Sequence, residues 1–286
     1  MSGLPPPPPP GSAALPAGTF ADDVVLVTGG GTGLGKAIAV EFARLGATVV
    51  IASRAPDHRE AGVRAVEAVG GTGVAVDCDV RDEHAVAAAF DQATEAAGPP
   101  TILVNNAAGN FPVAAQDLSP NGWRAVTDIV LDGTFLCSRE LALRLIAQQR
   151  SGSIINVGAS YAWTGGPGFA HSAAAKAGVK NLTETLAVEW APYGIRVNYL
   201  VPGLMPHDDE VEAIRGVPGR GDAEAARAPA LRVGLPRELG WAATFLASPF
   251  AAYITGATLT VDGANWQRRS LTQPPFTPIS EQLHPG

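Results

Sequence analysis

The chain has 286 residues, of which 46% are apolar and 16% are charged, so it has ample material for a buried core. Its formal net charge of −7 argues against a surface that binds nucleic acid or anionic membranes. No uninterrupted apolar run reaches the ~18 residues of a membrane span, and no basic stretch precedes an apolar one as in a secretory signal.

The two cysteines, Cys78 and Cys137, bear on compartment and metal binding. They fall inside a predicted strand and a predicted helix and lack the spacing of metal ligands, which favours a reduced intracellular protein without a metal. The last three residues, His-Pro-Gly, are not a peroxisomal signal. We therefore expect a cytoplasmic protein.

Residues 1–20 contain six consecutive prolines, Pro5 to Pro10. Such a run favours polyproline II and cannot join a helix or a central strand, which predicts a flexible, solvated leader. An SH3-type ligand is the alternative. We expect a single domain over residues 21–266 and a loosely held tail over 267–286.

The next segment is a short apolar run, residues 24–27, that leads into a glycine-rich turn. The glycines Gly29, Gly33 and Gly35 have a G-x-x-x-G-x-G spacing, and an amphipathic helix is predicted over 36–45. A turn without Cβ atoms lets the backbone approach a pyrophosphate at the helix N-terminus, which predicts a dinucleotide site. A plain tight turn is the alternative.

The second strand, residues 48–53, ends at Ser53, and Arg54 follows it. NAD-binding folds tend to place an acidic residue about 20 residues past the glycines, where it holds the ribose 2′-hydroxyl. The nearest carboxylate here is Asp57, whereas Arg54 can pair with a 2′-phosphate, so we predict NADPH over NADH. A solvated loop arginine is the alternative.

The rest of the chain alternates helices and strands. We predict helices over 61–69, 83–97, 120–149, 172–192 and 236–247, strands over 73–80, 101–105, 153–158, 195–201 and 258–261, and a substrate lid around 203–235. This alternation predicts a doubly wound Rossmann-type α/β fold, in which a central parallel sheet is flanked by helices in three αβα layers.

The glycine spacing and the segment Asn105-Asn-Ala-Ala-Gly109 resemble the short-chain dehydrogenase/reductase superfamily. Members usually carry Tyr-x-x-x-Lys, in which the phenol protonates an alkoxide. Lys176 matches the lysine, but Ser172 stands at the tyrosine position, Ala159 at the usual serine and Val130 at the usual asparagine. Three coordinated replacements indicate a different reaction rather than a dead enzyme.

A serine hydroxyl is a far weaker acid than a phenol of pKa ~10, so Ser172 is a poor proton donor to an alkoxide. Hydride addition to a conjugated C=C bond instead collects negative charge on a remote carbonyl oxygen, which needs hydrogen-bond donors. Tyr161, just past the fifth strand, and Asn110, after Gly109, can serve as these donors.

At this level the chain resembles the NADPH-dependent 2,4-dienoyl-CoA reductases over about residues 21–266. The resemblance rests on segments 29–35, 51–54, 78–82, 105–111 and 127–130, and on the spacing of Tyr161, Ser172 and Lys176. It implies NADPH-dependent reduction of a 2,4-dienoyl-CoA to a 3-enoyl-CoA in unsaturated fatty-acid degradation, by a homotetramer.

The resemblance also implies roles for individual residues. Tyr161 is the principal catalytic residue and binds the thioester oxygen with Asn110, while Lys176 holds the nicotinamide ribose and Ser172 links the network. Asp79 contacts the adenine ring. The implied CoA-substrate contacts are Arg81, Phe111 and Ser119. The implied cofactor-binding residues are Gly29, Thr32, Gly33, Leu34, Gly35, Ser53, Arg54, Asp79, Val80, Asn106, Ala107, Lys176, Pro202 and Gly203.

Asp132 and the lid depart from the family pattern, so acyl-chain preference stays open. Two alternatives stay open for the arginines of the lid: they contact the phosphates of CoA, or they are solvated. These arginines are Arg215, Arg220 and Arg227. Two further functions also stay open: a short-chain reductase acting on another enoyl or carbonyl substrate, and a non-catalytic NADP-binding scaffold.

Two histidine-containing segments have plain structural interpretations. His171 precedes Ser172 but lacks a third group at triad spacing, so we interpret it as a packed or solvated histidine. The run from His207 to Glu210 is contiguous and has no helical i,i+4 pair, so we predict a solvated loop and no metal site.

Overall fold

The computed structural model describes residues 3–207, 225, 228–267 and 279–283. Within these residues, seven parallel strands form one sheet in the order β3-β2-β1-β4-β5-β6-β7, which confirms the predicted doubly wound single-domain fold. The strands are β1 (Val24–Thr28), β2 (Thr48–Ser53), β3 (Thr72–Asp77), β4 (Ile102–Asn105), β5 (Gly152–Val157), β6 (Ile195–Pro202) and β7 (Thr258–Val261).

Helices cover both faces of the sheet. They are α1 (Gly33–Arg44), α2 (Pro56–Glu67), α3 (Glu83–Ala97), α4 (Pro120–Thr127), α5 (Gly133–Ala147), α6 (Tyr161–Thr164), α7 (Ala170–Trp190), α8 (Pro236–Ala247) and α9 (Ile279–Leu283). The helix predicted over 61–69 begins earlier, because Pro56 occupies its first turn, where a proline needs no N–H partner. None of the helices in the described parts of the chain is long and apolar enough to cross a bilayer.

The long helix predicted over residues 120–149 is present from Pro120 to Ala147, but it is not α-helical throughout. A π-helical turn, Asp128–Asp132, separates α4 from α5. A π-helical turn is wider than an α-helical one and does not break the helix. The amphipathic pattern of the sequence does not reveal such a turn. The turn lies beside the predicted dinucleotide site.

The sheet separates two apolar cores, and alternate residues of β1 enter opposite ones. Val25 and Val27 pack with α1 and α8, whereas Val24 and Leu26 pack with α3 and α5. All five residues of β1 are buried. This two-sided burial explains why the strand has a continuous apolar sequence rather than an alternating one.

The order of strands places a crevice at the carboxyl ends of β1 and β4. The chain crosses from β3 on one side of β1 to β4 on the other, which makes this pair the topological switch point. Ligands of doubly wound sheets bind at such a point.

Three predicted segments lie partly outside the described residues. The described part of the leader, residues 3–20, contacts the domain rather than being solvated throughout, and Phe20 packs edge-on against Phe42 with ring centroids 5.1 Å apart. In the lid, residues 208–224, 226 and 227 lie outside the described residues, and with them Arg215, Arg220 and Arg227. In the tail, 267 and 279–283 are described.

Candidate active site

The ends of β1 and β4 are joined by side-chain hydrogen bonds. The Thr28 hydroxyl oxygen accepts from the backbone N–H groups of Asn106 and Ala107, each at 3.0 Å. In return, Asn106 Nδ2 donates to the carbonyl oxygens of Thr28 and Gly29, each at 3.1 Å. The segment after β4 is thereby held against the glycine turn.

Close contacts explain two of the glycines. Gly29 has φ +63°, and a Cβ there would lie 3.1 Å from the Asn106 amide nitrogen and from Ala107 Cα. A Cβ on Gly35 would collide with the Asn106 side chain and with the Gly29 carbonyl oxygen. The glycine spacing therefore lets α1 and the segment after β4 approach the same turn.

A pocket of about 390 Å³ opens beside this turn. It brings together ten of the predicted cofactor residues: Gly29, Thr32, Gly33, Leu34, Ser53, Arg54, Asp79, Val80, Asn106 and Ala107. Gly35, Lys176, Pro202 and Gly203 do not line it. A glycine cradle, the N-terminus of a 12-residue helix and an arginine at the rim fit a dinucleotide phosphate chain.

Asp79 and Arg54 line the pocket, and a second arginine, Arg81, pairs with Asp79 without lining it. Arg81 forks onto Asp79, with Nη2 2.6 Å from Oδ2 and Nε 2.9 Å from Oδ1. This hydrogen bonding from Arg81 lowers the pKa of Asp79. Arg54 lies 3.8 Å from Asp79 and its side chain is 56% exposed, so its guanidinium has donors available for an anion.

The predicted catalytic groups Tyr161, Ser172 and Lys176 meet where α6 and α7 begin. The hydroxyls of Tyr161 and Ser172 lie 3.0 Å apart. Lys176 follows Ser172 by one helical turn, and its ammonium donates to the Val157 carbonyl at the end of β5. Burial lowers the pKa of Lys176 to about 8, so the amine carries a proton at neutral pH while lying close to deprotonation.

The Asn110 side chain has a defined orientation. Its Oδ1 accepts from the Phe111 N–H at 3.0 Å, so its amide N–H groups point the other way. The Phe111 ring meets the His171 ring edge-on at 4.6 Å, and His171 Nδ1 accepts from the Ser172 N–H at 2.8 Å. Asn110 is therefore tied through Phe111 and His171 to the helix turn that carries Ser172.

The family model described as Enoyl-(Acyl carrier protein) reductase matches residues 29–264, from the first glycine of the turn to beyond β7. That match covers strands β2 to β7, the pocket and the residues around Lys176. The chain belongs to the short-chain dehydrogenase/reductase family.

Two relatives and one solved structure show how similar the chain is to other members. It is 42% identical over 249 residues to a probable 2,4-dienoyl-CoA reductase [(2E)-enoyl-CoA-producing] from Bacillus subtilis, covering 85% of this chain and 96% of the relative. It is 39% identical over 246 residues to a peroxisomal 2,4-dienoyl-CoA reductase [(3E)-enoyl-CoA-producing] from Rattus norvegicus, covering 86% and 84%. A putative 2-deoxy-D-gluconate 3-dehydrogenase from Agrobacterium tumefaciens, solved with bound NADP, has a TM-score of 0.79 at 36% identity, covering 88% and 99%.

These similarities show that the protein is an oxidoreductase of the short-chain family with a nicotinamide cofactor.

Tyr199, on β6, is a residue of the candidate site that the sequence analysis missed. Its buried hydroxyl donates to the Lys176 carbonyl at 3.0 Å and accepts from the Ala159 N–H at 3.4 Å. A Cβ on Gly158 would strike its ring, so this glycine provides the space. Burial raises the pKa of Tyr199, which keeps the phenol neutral.

The three implied CoA contacts lie in two places. Ser119 caps α4, its hydroxyl oxygen accepting from the Gly122 N–H at 3.0 Å. A Cβ on Gly122 would lie 3.2 Å from the Phe111 ring, so Ser119 and Phe111 are close neighbours. Arg81 lies apart from them, on Asp79.

Pro202 is the last residue of β6 and Gly203 follows it; both lie outside the pocket. Gly203 packs so closely on Asp262 that a Cβ would come within 2.6 Å of it. Four residues after Gly203, His207 lies beside Gly33 of the glycine turn.

His207 is a second missed residue. It lines the pocket, and a Cβ on Gly33 would lie 3.0 Å from its Cε1. Its Nδ1 is buried without a hydrogen-bond partner among the described residues. The three carboxylates that follow it in sequence lie outside those residues. The polar sequence around His207 resembles an ordinary loop, so only the tertiary contact reveals its place.

No cluster of three or more His, Cys, Asp or Glu side chains that could hold a metal occurs in the described ranges. Cys78 and Cys137 are buried free thiols in contact, and hydrogen bonding with Cys78 together with burial raises the pKa of Cys137. Both thiols serve as core residues.

Proposed function

We propose that this reductase transfers hydride from NADPH to a 2,4-dienoyl-CoA and releases a 3-enoyl-CoA. The observation that carries the proposal is the pair Tyr161–Ser172. The phenol of Tyr161 is hydrogen-bonded at 3.0 Å to Ser172, the serine that replaces the usual tyrosine one helical turn before Lys176, and it is therefore a donor at a new position. The similarity to two proteins named 2,4-dienoyl-CoA reductases supports the acyl-CoA substrate.

Tyr161 and Asn110 bind the thioester oxygen. If the Ser172 hydroxyl donates to the Tyr161 oxygen, the phenol proton is directed outward to the substrate. Because Asn110 Oδ1 is occupied by the Phe111 N–H, the amide presents donors and no acceptor to that oxygen. Two fixed donors stabilise the negative charge that develops on the carbonyl as the conjugated system is reduced.

NADPH, when bound, supplies the hydride. Lys176 uses one N–H on the Val157 carbonyl and has two more for the ribose hydroxyls, while Tyr199 fixes the backbone of the same helix turn. We assign Arg54 to the 2′-phosphate, and His207, beside Gly33, to the pyrophosphate. Hydride adds to the δ-carbon, and a solvent proton then adds to the α-carbon, which balances the reduction.

The two relatives' names differ in the product, with the double bond at position 2 in one and at position 3 in the other. The proposed site has its donors at the thioester oxygen, and we assign none of the described residues as an acid at the γ-carbon, whose protonation would give the 2-enoyl product. We therefore assign the 3-enoyl product.

The test follows NADPH oxidation with 2,4-hexadienoyl-CoA, 2-hexenoyl-CoA and a simple ketone, with product identification by NMR. Dienoyl reduction to the 3-enoyl thioester is the expected result. Turnover with hexenoyl-CoA alone indicates an enoyl thioester reductase, and turnover with the ketone alone indicates a carbonyl reductase. NADPH binding without turnover of any of the three indicates a cofactor-binding scaffold. A 2-enoyl product from the dienoyl substrate refutes the assigned regiochemistry.

A further inference from the structure

The proline run of the leader lies against the surface formed by α8 and the residue Arg232 before it. Arg232 Nε donates to the Pro5 carbonyl at 3.2 Å, and Arg237 Nη2 donates to the Pro8 carbonyl at 3.1 Å. Pro5 and Pro8 are three residues apart, which is one turn of polyproline II, so their carbonyls point to the same side. Since proline has no N–H, its carbonyl is the only polar group that a receptor can bind.

Trp241 supplies a third donor. Its indole N–H is shared between the Ser12 carbonyl at 3.1 Å and the Glu41 carboxylate at 2.9 Å. Arg237 and Trp241 are one helical turn apart, and the Arg237 guanidinium carbon lies 5.9 Å from the Trp241 ring centroid. A planar aromatic face flanked by N–H donors is the surface that proline-rich segments bind.

Two of the three donors, Arg232 and Trp241, are also held by contacts within the domain. Two nitrogens of Arg232 fork onto Glu238, each at 2.8 Å, which leaves Nε pointing at the leader. Glu41, a buried residue of α1 that packs against α8, accepts from the Trp241 indole and fixes it. Arg232 and Trp241 are therefore preorganised.

The leader is attached on both sides of these contacts. The Leu4 N–H donates to the Ala230 carbonyl at 2.9 Å, and Phe20 is buried in the core. A Cβ on Gly3 would collide with the Ala230 carbonyl, so the leader lies directly on this backbone.

We infer that Arg232, Arg237 and Trp241 form a binding surface for a polyproline II segment, and that its occupant is the chain's own leader, residues 4–12. The leader thus crosses the seam between α8 and α1, the helix that begins at the glycine turn. This role is independent of the reductase substrate.

The test uses the full-length chain with all six prolines replaced by alternating glycine and serine, crossed with Arg237→Ala. In the natural leader, Arg237→Ala is expected to lower Tm by roughly 2–4 °C, the shift that follows from losing about one hydrogen bond. With the glycine-serine leader, the same substitution is expected to lower Tm less than half as much. Arg64→Ala, an exposed helical arginine paired with Glu60, is the control and should act equally in both backgrounds.

A second readout follows the surface directly. The protein has five tryptophans, so 5-fluorotryptophan labelling gives five fluorine resonances, and Trp241→Phe identifies one of them. The glycine-serine leader should shift the Trp241 resonance, with the Trp123 resonance unchanged. Equal Tm effects of Arg237→Ala in the two leaders, together with an unmoved Trp241 resonance, would overturn the inference.

Discussion

Tyr161→Phe deletes a single hydroxyl and keeps the ring in place. In the folded enzyme the loss is one hydrogen bond to Ser172 at 3.0 Å, worth about 1 kcal/mol, which corresponds to a Tm decrease of roughly 2–4 °C. In the transition state the same hydroxyl is proposed to stabilise the thioester oxygen, and removing one such donor typically costs about 10²–10³ in kcat. Turnover should therefore fall much more than stability or NADPH affinity.

The measurement is kcat with 2,4-hexadienoyl-CoA alongside the NADPH Kd from a fluorescence titration. Tyr193→Phe removes the hydroxyl of a half-exposed tyrosine after α7 and is the matched control. Turnover of Tyr161→Phe within a factor of about two of the natural enzyme, at unchanged Kd, would show that the phenol has no part in charge stabilisation.

Four further predictions can be measured. Arg54→Ala should raise the NADPH Kd and leave the NADH Kd nearly unchanged, because the 2′-phosphate loses its partner; an unaltered ratio of the two constants excludes Arg54 from that contact. His207→Ala should lower the affinity for NADP⁺, measured by calorimetry, and leave unchanged the affinity for adenosine 2′,5′-bisphosphate, which lacks the pyrophosphate link. Equal losses of affinity for both ligands, or the same loss of NADP⁺ affinity in the exposed control His84→Ala, contradict the assignment. Burial lowers the pKa of Lys176 from 10.5 to about 8, so the unfolded chain binds more protons between those values and the free energy of unfolding gains about 3 kcal/mol as pH rises through them. Denaturant titrations should show that gain and Lys176→Met should lack it, whereas parallel pH curves would refute it. Light scattering should give about four times the chain mass of 29.3 kDa, since the exposed Phe135 and Leu143 on α5 suit a subunit contact; a monomer rules out the homotetramer.

The residues around the glycine turn could be predicted from the sequence because their pattern involves neighbouring residues only. Gly29, Gly33 and Gly35 lie within seven residues of one another in sequence. Their spacing alone therefore predicts the turn. Arg54 follows its strand directly. The pocket brings these groups together because parallel strands end at one edge of the sheet.

For the proposed oxyanion donors, Tyr161 and Asn110, the sequence predicted the residues but not their contacts. The spacing of Tyr161, Ser172 and Lys176 predicts their roles through a family resemblance, but the 3.0 Å contact depends on the short helix α6 folding onto α7. The direction of the Asn110 amide depends on one backbone N–H, that of Phe111. Neither contact has a periodic signal.

Residues whose role depends on distant chain segments were missed. Tyr199 has the apolar environment of any buried strand residue, and its hydroxyl meets Lys176 only because β6 pairs beside β5. The proline run has no pattern that indicates Arg237 or Trp241, more than 220 residues away.

The sequence by itself determined the order of strands and helices, the dinucleotide turn and the family, because periodicity and glycine spacing are properties of neighbouring residues. Tertiary structure alone decided the contact of His207 with Gly33, the contact of Tyr199 with Lys176 and the docking of the leader on α8. These features arise from the packing of segments whose proximity no local interaction encodes, since side-chain hydrogen bonds act only over about 3 Å.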